Sequence, residues 1–180
     1  MRKLTSILTI AFMAISVTLC AQTAKKGKAL VAYFSATGNT EAVAKKIQEA
    51  TGADIYQIEP TKPYTKEDLD WRNRQSRSIV EMTTEGFREK LGGKPIDLKK
   101  YNTIYLGFPI WADRVPTIIQ TFIEANEWKG KTIIPFATSG SSPIDNSVNK
   151  LKAAYPNLNI KAGKRLNNAT DADIKAFVGK

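Results

Sequence analysis

The sequence ALVAYFSATGNTEAVAKKIQEAT, from Ala29 to Thr51, decides the fold of this chain. It opens with an apolar run typical of a buried β-strand, passes through a hydroxyl-rich turn at residues 35–40, and ends in an amphipathic helical pattern. The amino end of a helix presents unpaired N–H groups and the positive end of the helix dipole, and it therefore attracts an anion. The serine and threonine hydroxyls of the turn add neutral donors. This first loop (residues 35–40) predicts a binding site for a phosphate monoester.

The first loop differs from two common phosphate-binding motifs. No lysine follows Gly38, which excludes the G-x-x-x-x-G-K-[ST] loop, and no further glycine follows, which excludes G-x-G-x-x-G. Gly38 allows the backbone to approach an anion closely, and Asn39 tolerates the unusual φ that a tight turn requires. The alternative interpretation is an ordinary turn whose hydroxyls cap the following helix.

Apolar runs and helical patterns alternate along the rest of the chain. Because parallel strands are joined by helical crossovers, this alternation predicts a three-layer, doubly wound α/β fold with a parallel five-stranded sheet. The predicted strands are residues 29–34, 54–59, 103–107, 132–137 and 158–161. The predicted helices are residues 40–50, 116–126, 144–154 and 171–178, with helical composition also at 65–91.

Two further loops of unusual composition follow predicted strands: the second loop (residues 108–115) and the third loop (residues 138–143). Ligands of open α/β sheets bind at the carboxyl ends of the strands, where the strand order reverses. All three loops are expected at that edge, and together they suit a flat cofactor.

The three loops resemble those of the flavodoxin family. S-A-T-G-N-T matches the [ST]-x-T-G-x-T phosphate loop of flavodoxins, and residues 107–111 followed by Pro116 are similar to the G-[FY]-P-I-W…P segment of a long-sequence branch. Residues 136–142 look like the family's T-S-G-[SG]-S segment. The resemblance implies non-covalent FMN, with its phosphate in the first loop. It assigns FMN contacts to Ser35, Ala36, Thr37, Gly38, Asn39, Thr40, Pro109, Ile110, Trp111, Ala112, Asp113, Thr138, Ser139, Gly140 and Ser141.

Each of the other two loops has two interpretations. Trp111 is the best candidate to stack on the isoalloxazine ring, and the alternative is a core tryptophan wedged under the second loop. The third loop either binds the pyrimidine edge of the ring through backbone donors or is a plain turn. The resemblance implies a low reduction potential, with no cation expected near the flavin N1.

The second loop also departs from the family pattern. The branch usually has a second tryptophan and then a glycine after the position of Trp111, whereas this chain has Ala112 and Asp113. Neither residue has the freedom of glycine at positive φ. We therefore expect the one-electron-reduced flavin to be stabilised less than in a relative with glycine.

Histidine is absent from the chain, and Cys20 is its single cysteine. A Ser-His-Asp hydrolase, a His-ligated metal centre and a cysteine phosphatase each lack an essential part, so no metal site or catalytic residue is predicted. The formal net charge is +10, but the lysines are spread along the chain. This favours a solvated basic surface over a nucleic-acid site.

The amino terminus has the pattern of an export signal. Arg2 and Lys3 precede an uncharged stretch at residues 4–19 that is too short for a comfortable membrane span. Residues 1–21 are interpreted as a cleaved signal, 22–28 as a linker, and 29–180 as one domain in the periplasm or outside the cell. The alternative is a lipobox in which Cys20 becomes a lipid anchor.

The leading functional prediction is a monomeric electron carrier that binds FMN and serves redox partner proteins of unknown identity. The alternative is an FMN-dependent NAD(P)H:quinone or flavin reductase, although no nicotinamide fingerprint is visible. A third possibility is an exported binding module without flavin. The insert (residues 60–100) receives no role, and its Trp71 and Phe87 are expected in the core.

Overall fold

The computed structural model describes residues 27–179. The predicted signal at 1–21, the alternative anchor at Cys20 and most of the linker lie outside the described residues. Within 27–179, no helix is long and apolar enough to cross a membrane.

Strands and helices alternate as the sequence predicts. The strands are β1 (Lys28–Tyr33), β2 (Asp54–Gln57), β3 (Tyr101–Pro109), β4 (Thr132–Thr138), β5 (Asn159–Ile160) and β6 (Lys164–Arg165). The helices are α1 (Asn39–Thr51), α2 (Arg77–Thr83), α3 (Thr117–Glu124), α4 (Asp145–Ala154) and α5 (Asp171–Val178), with a 3-10 turn at Leu98–Lys100.

The sheet is parallel throughout, with the strand order β2-β1-β3-β4-β5. The predicted doubly wound fold with five strand positions is confirmed. The fifth position is divided, because β5 pairs with the start of β4 and β6 pairs with its end. The sequence did not predict β6, since a strand of two residues has no measurable periodicity.

Alternation along the central strands builds a core on each face of the sheet. Leu30 and Ala32 face one cluster, while Val31 and Tyr33 face the other. Covering both faces explains why β1 is a continuous apolar run. Gly107 of β3 is required by packing, because a Cβ there would lie 2.2 Å from the ring of Phe136 on β4.

The helix expected within residues 65–91 is wrong except for α2. Successive turns occupy residues 66–76, and short polar side chains stabilise them by bonding to nearby backbone N–H groups. Asp70 accepts from the N–H of Arg72, and Asn73 accepts from the N–H of Gln75. Such local bonds compete with helix formation.

The core positions expected for the two aromatic residues of the insert are not found. The side chain of Trp71 is 72% exposed, which contradicts the prediction, and Phe87 is only half-buried. The insert instead packs beside the sheet through a bridge between Pro60 and Leu91. Trp71 therefore lies at a surface whose character depends on what surrounds it.

Candidate functional site

The first loop leaves β1 and enters α1 with an open amino end. Gly38 adopts the left-handed region, with φ 84°, and no side chain caps the helix. The Ser35 hydroxyl is buried and has no hydrogen-bond partner in the described part of the chain. A buried hydroxyl without a partner is costly, and an incoming anion would satisfy it together with the first N–H groups of α1. The loop therefore fits a phosphate.

The other hydroxyls of the first loop have different surroundings. The Asn39 side-chain amide donates to the Thr37 hydroxyl at 3.1 Å, and both residues are exposed. Thr40 is only 1% exposed, and its hydroxyl lies 2.8 Å from the hydroxyl of Thr138. Thr40 therefore joins the first loop to the third, a role that its position in the motif did not reveal.

The second loop contains a strained two-residue turn. Trp111 and Arg114 exchange two backbone hydrogen bonds, of 3.1 and 3.0 Å, around Ala112 and Asp113. Ala112 has φ 45° and Asp113 has φ 59°, so both adopt the left-handed conformation of a type I′ turn. Such a conformation costs a residue with a Cβ about 1–2 kcal/mol. Strain of this kind clusters at functional sites.

Helix α4 holds this turn in place. The Asn146 amide donates to the Asp113 carboxylate at 2.8 Å, and the Lys150 ammonium donates to the Asp113 carbonyl at 3.1 Å. The Arg114 guanidinium also donates to the carbonyl of Met82 on α2 at 2.6 Å. The sequence analysis missed Asn146 and Lys150, and their spacing on one face of a predicted helix was the only signal.

Trp111 combines the two interpretations made from the sequence. It is half-buried, and its ring lies nearly perpendicular to the rings of Phe34 and Tyr64, with centroids 5.5 and 5.1 Å away. These contacts fix its position against the core. Trp111 also lines a cavity, so its packing leaves part of the indole available to a ligand.

Residues near the carboxyl terminus shape the third loop. The Asn167 side chain accepts from the Ser139 N–H at 3.0 Å and donates to the Ser139 carbonyl at 2.8 Å, as a strand would. The Arg165 guanidinium donates to the Ser141 carbonyl at 3.0 Å. A cation therefore lies beside the loop where the sequence analysis expected none. Both residues follow β6, and nothing in the sequence signalled them.

A cavity of about 280 Å³ connects the first two loops with the insert. The walls from the loops carry the predicted site residues Ala36, Thr37, Pro109, Ile110, Trp111 and Ala112. The walls from the insert are formed by Leu69, Trp71, Ser78, Ile79 and Met82. The predicted residues of the third loop do not line this cavity, although the Thr138 carbonyl accepts from the Ile110 N–H at 2.9 Å.

A buried charge cluster anchors the insert beside this cavity. Arg77 donates to Glu81 at 2.7 Å, lies 2.9 Å from Glu89, and covers the ring of Tyr64 at 4.0 Å. The Tyr64 hydroxyl donates to Glu81 at 2.6 Å. Burial raises the pKa of Glu81 and also that of Tyr64. Because Tyr64 contacts Trp111, the cluster connects the insert to the second loop.

Comparisons with known proteins place this geometry in context. A family profile described as Flavodoxin matches residues 28–180. A putative flavoprotein from Bacteroides uniformis is 49% identical, with 87% of this chain and 100% of that chain covered and a TM-score of 0.83. A second one, from Bacteroides eggerthii, is 48% identical, with 85% and 96% covered and a TM-score of 0.82.

A flavoprotein from Lactobacillus acidophilus, solved in complex with FMN, shares the fold at 19% identity. The match covers 84% of this chain and 99% of that chain, with a TM-score of 0.67. No curated protein matches. The profile match and the two Bacteroides structures agree with the strand order and the loops described above, and the chain belongs to the flavodoxin family.

Proposed function

We propose that this protein binds FMN non-covalently at the carboxyl edge of its parallel sheet and works as an electron carrier. FMN is the cofactor that membership in the flavodoxin family assigns. The observation that carries the proposal is the buried, unpaired hydroxyl of Ser35, in a loop that leads into a helix without a side-chain cap. When bound, FMN supplies reversible transfer of one or two electrons.

Each loop contributes a different part of the binding site. The first loop holds the phosphate with the N–H groups of α1 and the hydroxyls of Ser35 and Thr37. The second loop offers Trp111 and its neighbours to one face of the ring. The backbone of residues 138–141 binds the pyrimidine edge, and Asn167 keeps that backbone in place through two hydrogen bonds.

The test compares FMN with riboflavin, which has the same ring but no phosphate. We expect the purified protein to bind FMN more tightly than riboflavin, measured by quenching of flavin fluorescence. Ser35→Ala removes one hydrogen bond to a charged group and should weaken FMN binding about 10- to 100-fold, while riboflavin binding stays the same.

A matched control exists in α4. The hydroxyl of Ser147 is also buried and unpaired, and the residue is fully enclosed in the core. Ser147→Ala should leave the binding of both flavins unchanged. Equal affinity of the wild-type protein for FMN and riboflavin would contradict the phosphate site.

A second candidate function is an NAD(P)H-dependent reductase of quinones or flavins. A larger cavity, of about 400 Å³, begins at Arg114 directly behind the second loop. Its walls include the cationic side chains of Arg88 and Lys150, which would suit a phosphorylated donor, together with the acidic Glu81 and Glu85. Rapid bleaching of the bound flavin by NADH or NADPH alone would favour the reductase, whereas slow bleaching supports the carrier.

The site of action is part of the same proposal. We propose that residues 1–21 direct export to the periplasm or beyond and that the mature protein is a monomer serving redox partner proteins. Cell fractionation, amino-terminal sequencing and gel filtration test these points. Retention in membranes through a lipid on Cys20 would instead support the anchored form.

A further inference from the structure

Trp71 has an unusual position among the three tryptophans. Trp128 is buried and donates its indole N–H to the Ile123 carbonyl at 2.7 Å, and Trp111 packs at the edge of the core. Trp71 is 72% exposed, yet it lines the cavity of the first two loops, together with Thr37 and Ala112. A large aromatic side chain left uncovered in a cavity wall indicates a surface that a ligand covers.

The backbone that carries Trp71 is well fixed, although its indole is not buried. The N–H of Arg72 donates to the Asp70 carboxylate at 3.0 Å, and the N–H of Ser78 donates to the Asp68 carbonyl at 2.9 Å. The Arg77 cluster then ties the start of α2 to the core. The indole is therefore held near the cavity before any ligand arrives, which lowers the entropic cost of a contact.

The second loop lacks aromatic area at the corresponding place. Ala112 lines the cavity with only a methyl group, directly after Trp111. The remaining insert residues in the wall, such as Leu69 and Ile79, are aliphatic. Trp71 is therefore the aromatic side chain that the insert adds to the cavity, and a flat aromatic ligand fits such a wall better than a polar one does.

We infer that Trp71 contacts the isoalloxazine ring of bound FMN and supplies from the insert the aromatic surface that Ala112 does not provide. This inference rests on the proposed FMN site and gives the insert a role in cofactor binding. Because the contact is made with the ring, it contributes equally to the binding of FMN and riboflavin.

The test uses Trp71→Ala and Trp71→Phe with both flavins, measured by quenching of flavin fluorescence. Trp71→Ala should weaken the binding of FMN and of riboflavin by the same factor, about three- to tenfold, and Trp71→Phe should retain most of the affinity. Val80→Ala is the matched control, because Val80 is the other large exposed apolar residue and does not line the cavity. It should leave both affinities unchanged.

Wild-type affinity of Trp71→Ala for both flavins would overturn the inference, and so would a loss confined to FMN. These outcomes are separate from failure of the phosphate site, which Ser35→Ala detects as a loss for FMN alone. If the wild-type protein binds neither flavin, both proposals fall together. Circular dichroism confirms that the variants remain folded, as expected for an exposed position.

Discussion

The first loop and the insert form two walls of one cavity, but they differ in how their sequences determine their structures. The first loop lies between β1 and α1, and its conformation follows from residues adjacent in the chain. The insert contains one short helix, and its position depends on Arg77 and its distant partners. Local motifs thus predict an anion site, while the surface that faces it depends on contacts between separate segments.

The largest expected effect comes from breaking the anchor of the insert. Arg77→Met leaves Glu81 and Glu89 buried without their cation, and we expect the free energy of unfolding to fall by about 3–5 kcal/mol. Urea denaturation measures this change. Arg72→Met, at an exposed neighbouring position, is the control and should cost little. A loss as small for Arg77→Met as for Arg72→Met would show that the insert is held by other contacts.

The next effect tests whether the first loop is as local as its motif suggests. Thr40→Val leaves the buried Thr138 hydroxyl without its partner and should cost about 1–3 kcal/mol of unfolding free energy. The double variant with Thr138→Val removes both hydroxyls and should recover most of the loss. Additive losses in thermal or urea unfolding would mean that the two hydroxyls do not depend on each other.

Strain in the second loop gives a smaller effect of opposite sign. Ala112→Gly removes the Cβ from a left-handed residue, and the gain exceeds the added flexibility of the unfolded chain by up to about 1 kcal/mol. Ala153→Gly, in the exposed part of α4, should destabilise by about 1 kcal/mol instead. Destabilisation by both changes would contradict the strain.

A redox titration of the FMN-bound Ala112→Gly variant sharpens the same comparison. We expect more of the one-electron-reduced flavin than in the wild-type protein, because glycine permits the backbone rearrangement that alanine resists. An equal amount in both proteins would show that this residue does not limit that form.

The smallest effect concerns pH. Burial raises the pKa of Glu81 above its ordinary value of 4.5, so this carboxyl stabilises the fold while protonated and loses that contribution as the pH rises through its folded-state pKa. The unfolding free energy of the wild-type protein, relative to Glu81→Gln, should therefore decrease with rising pH above the ordinary glutamate range. A constant difference would contradict a raised pKa.

Glu124 provides the control with the opposite sign. Hydrogen bonds from Arg88 lower its pKa, so its contribution is present above the ordinary range and is lost as the pH falls. The wild-type protein, relative to Glu124→Gln, should lose stability toward acidic pH. The effect is small because the pair is exposed.

The residues that the sequence analysis missed have a common property. Asn167 lies 28 positions from Ser139, and Arg165 lies 24 from Ser141, so no local pattern connects them. The same holds for Trp71, whose neighbours in the cavity come from two other loops. Its composition suggested a core residue, but a large apolar side chain is also found where a ligand supplies the cover.

The sequence by itself determined the alternation of strands and helices, the parallel sheet and the open amino end of α1. These features depend on periodicity and on hydrogen bonds between neighbouring residues, which are written in order along the chain. Only the tertiary structure decided that Thr40 pairs with Thr138, that Arg165 stands beside the third loop, and that Trp71 faces the cavity. Each of these depends on bringing distant segments together, and burial and packing over the whole sheet fix those distances.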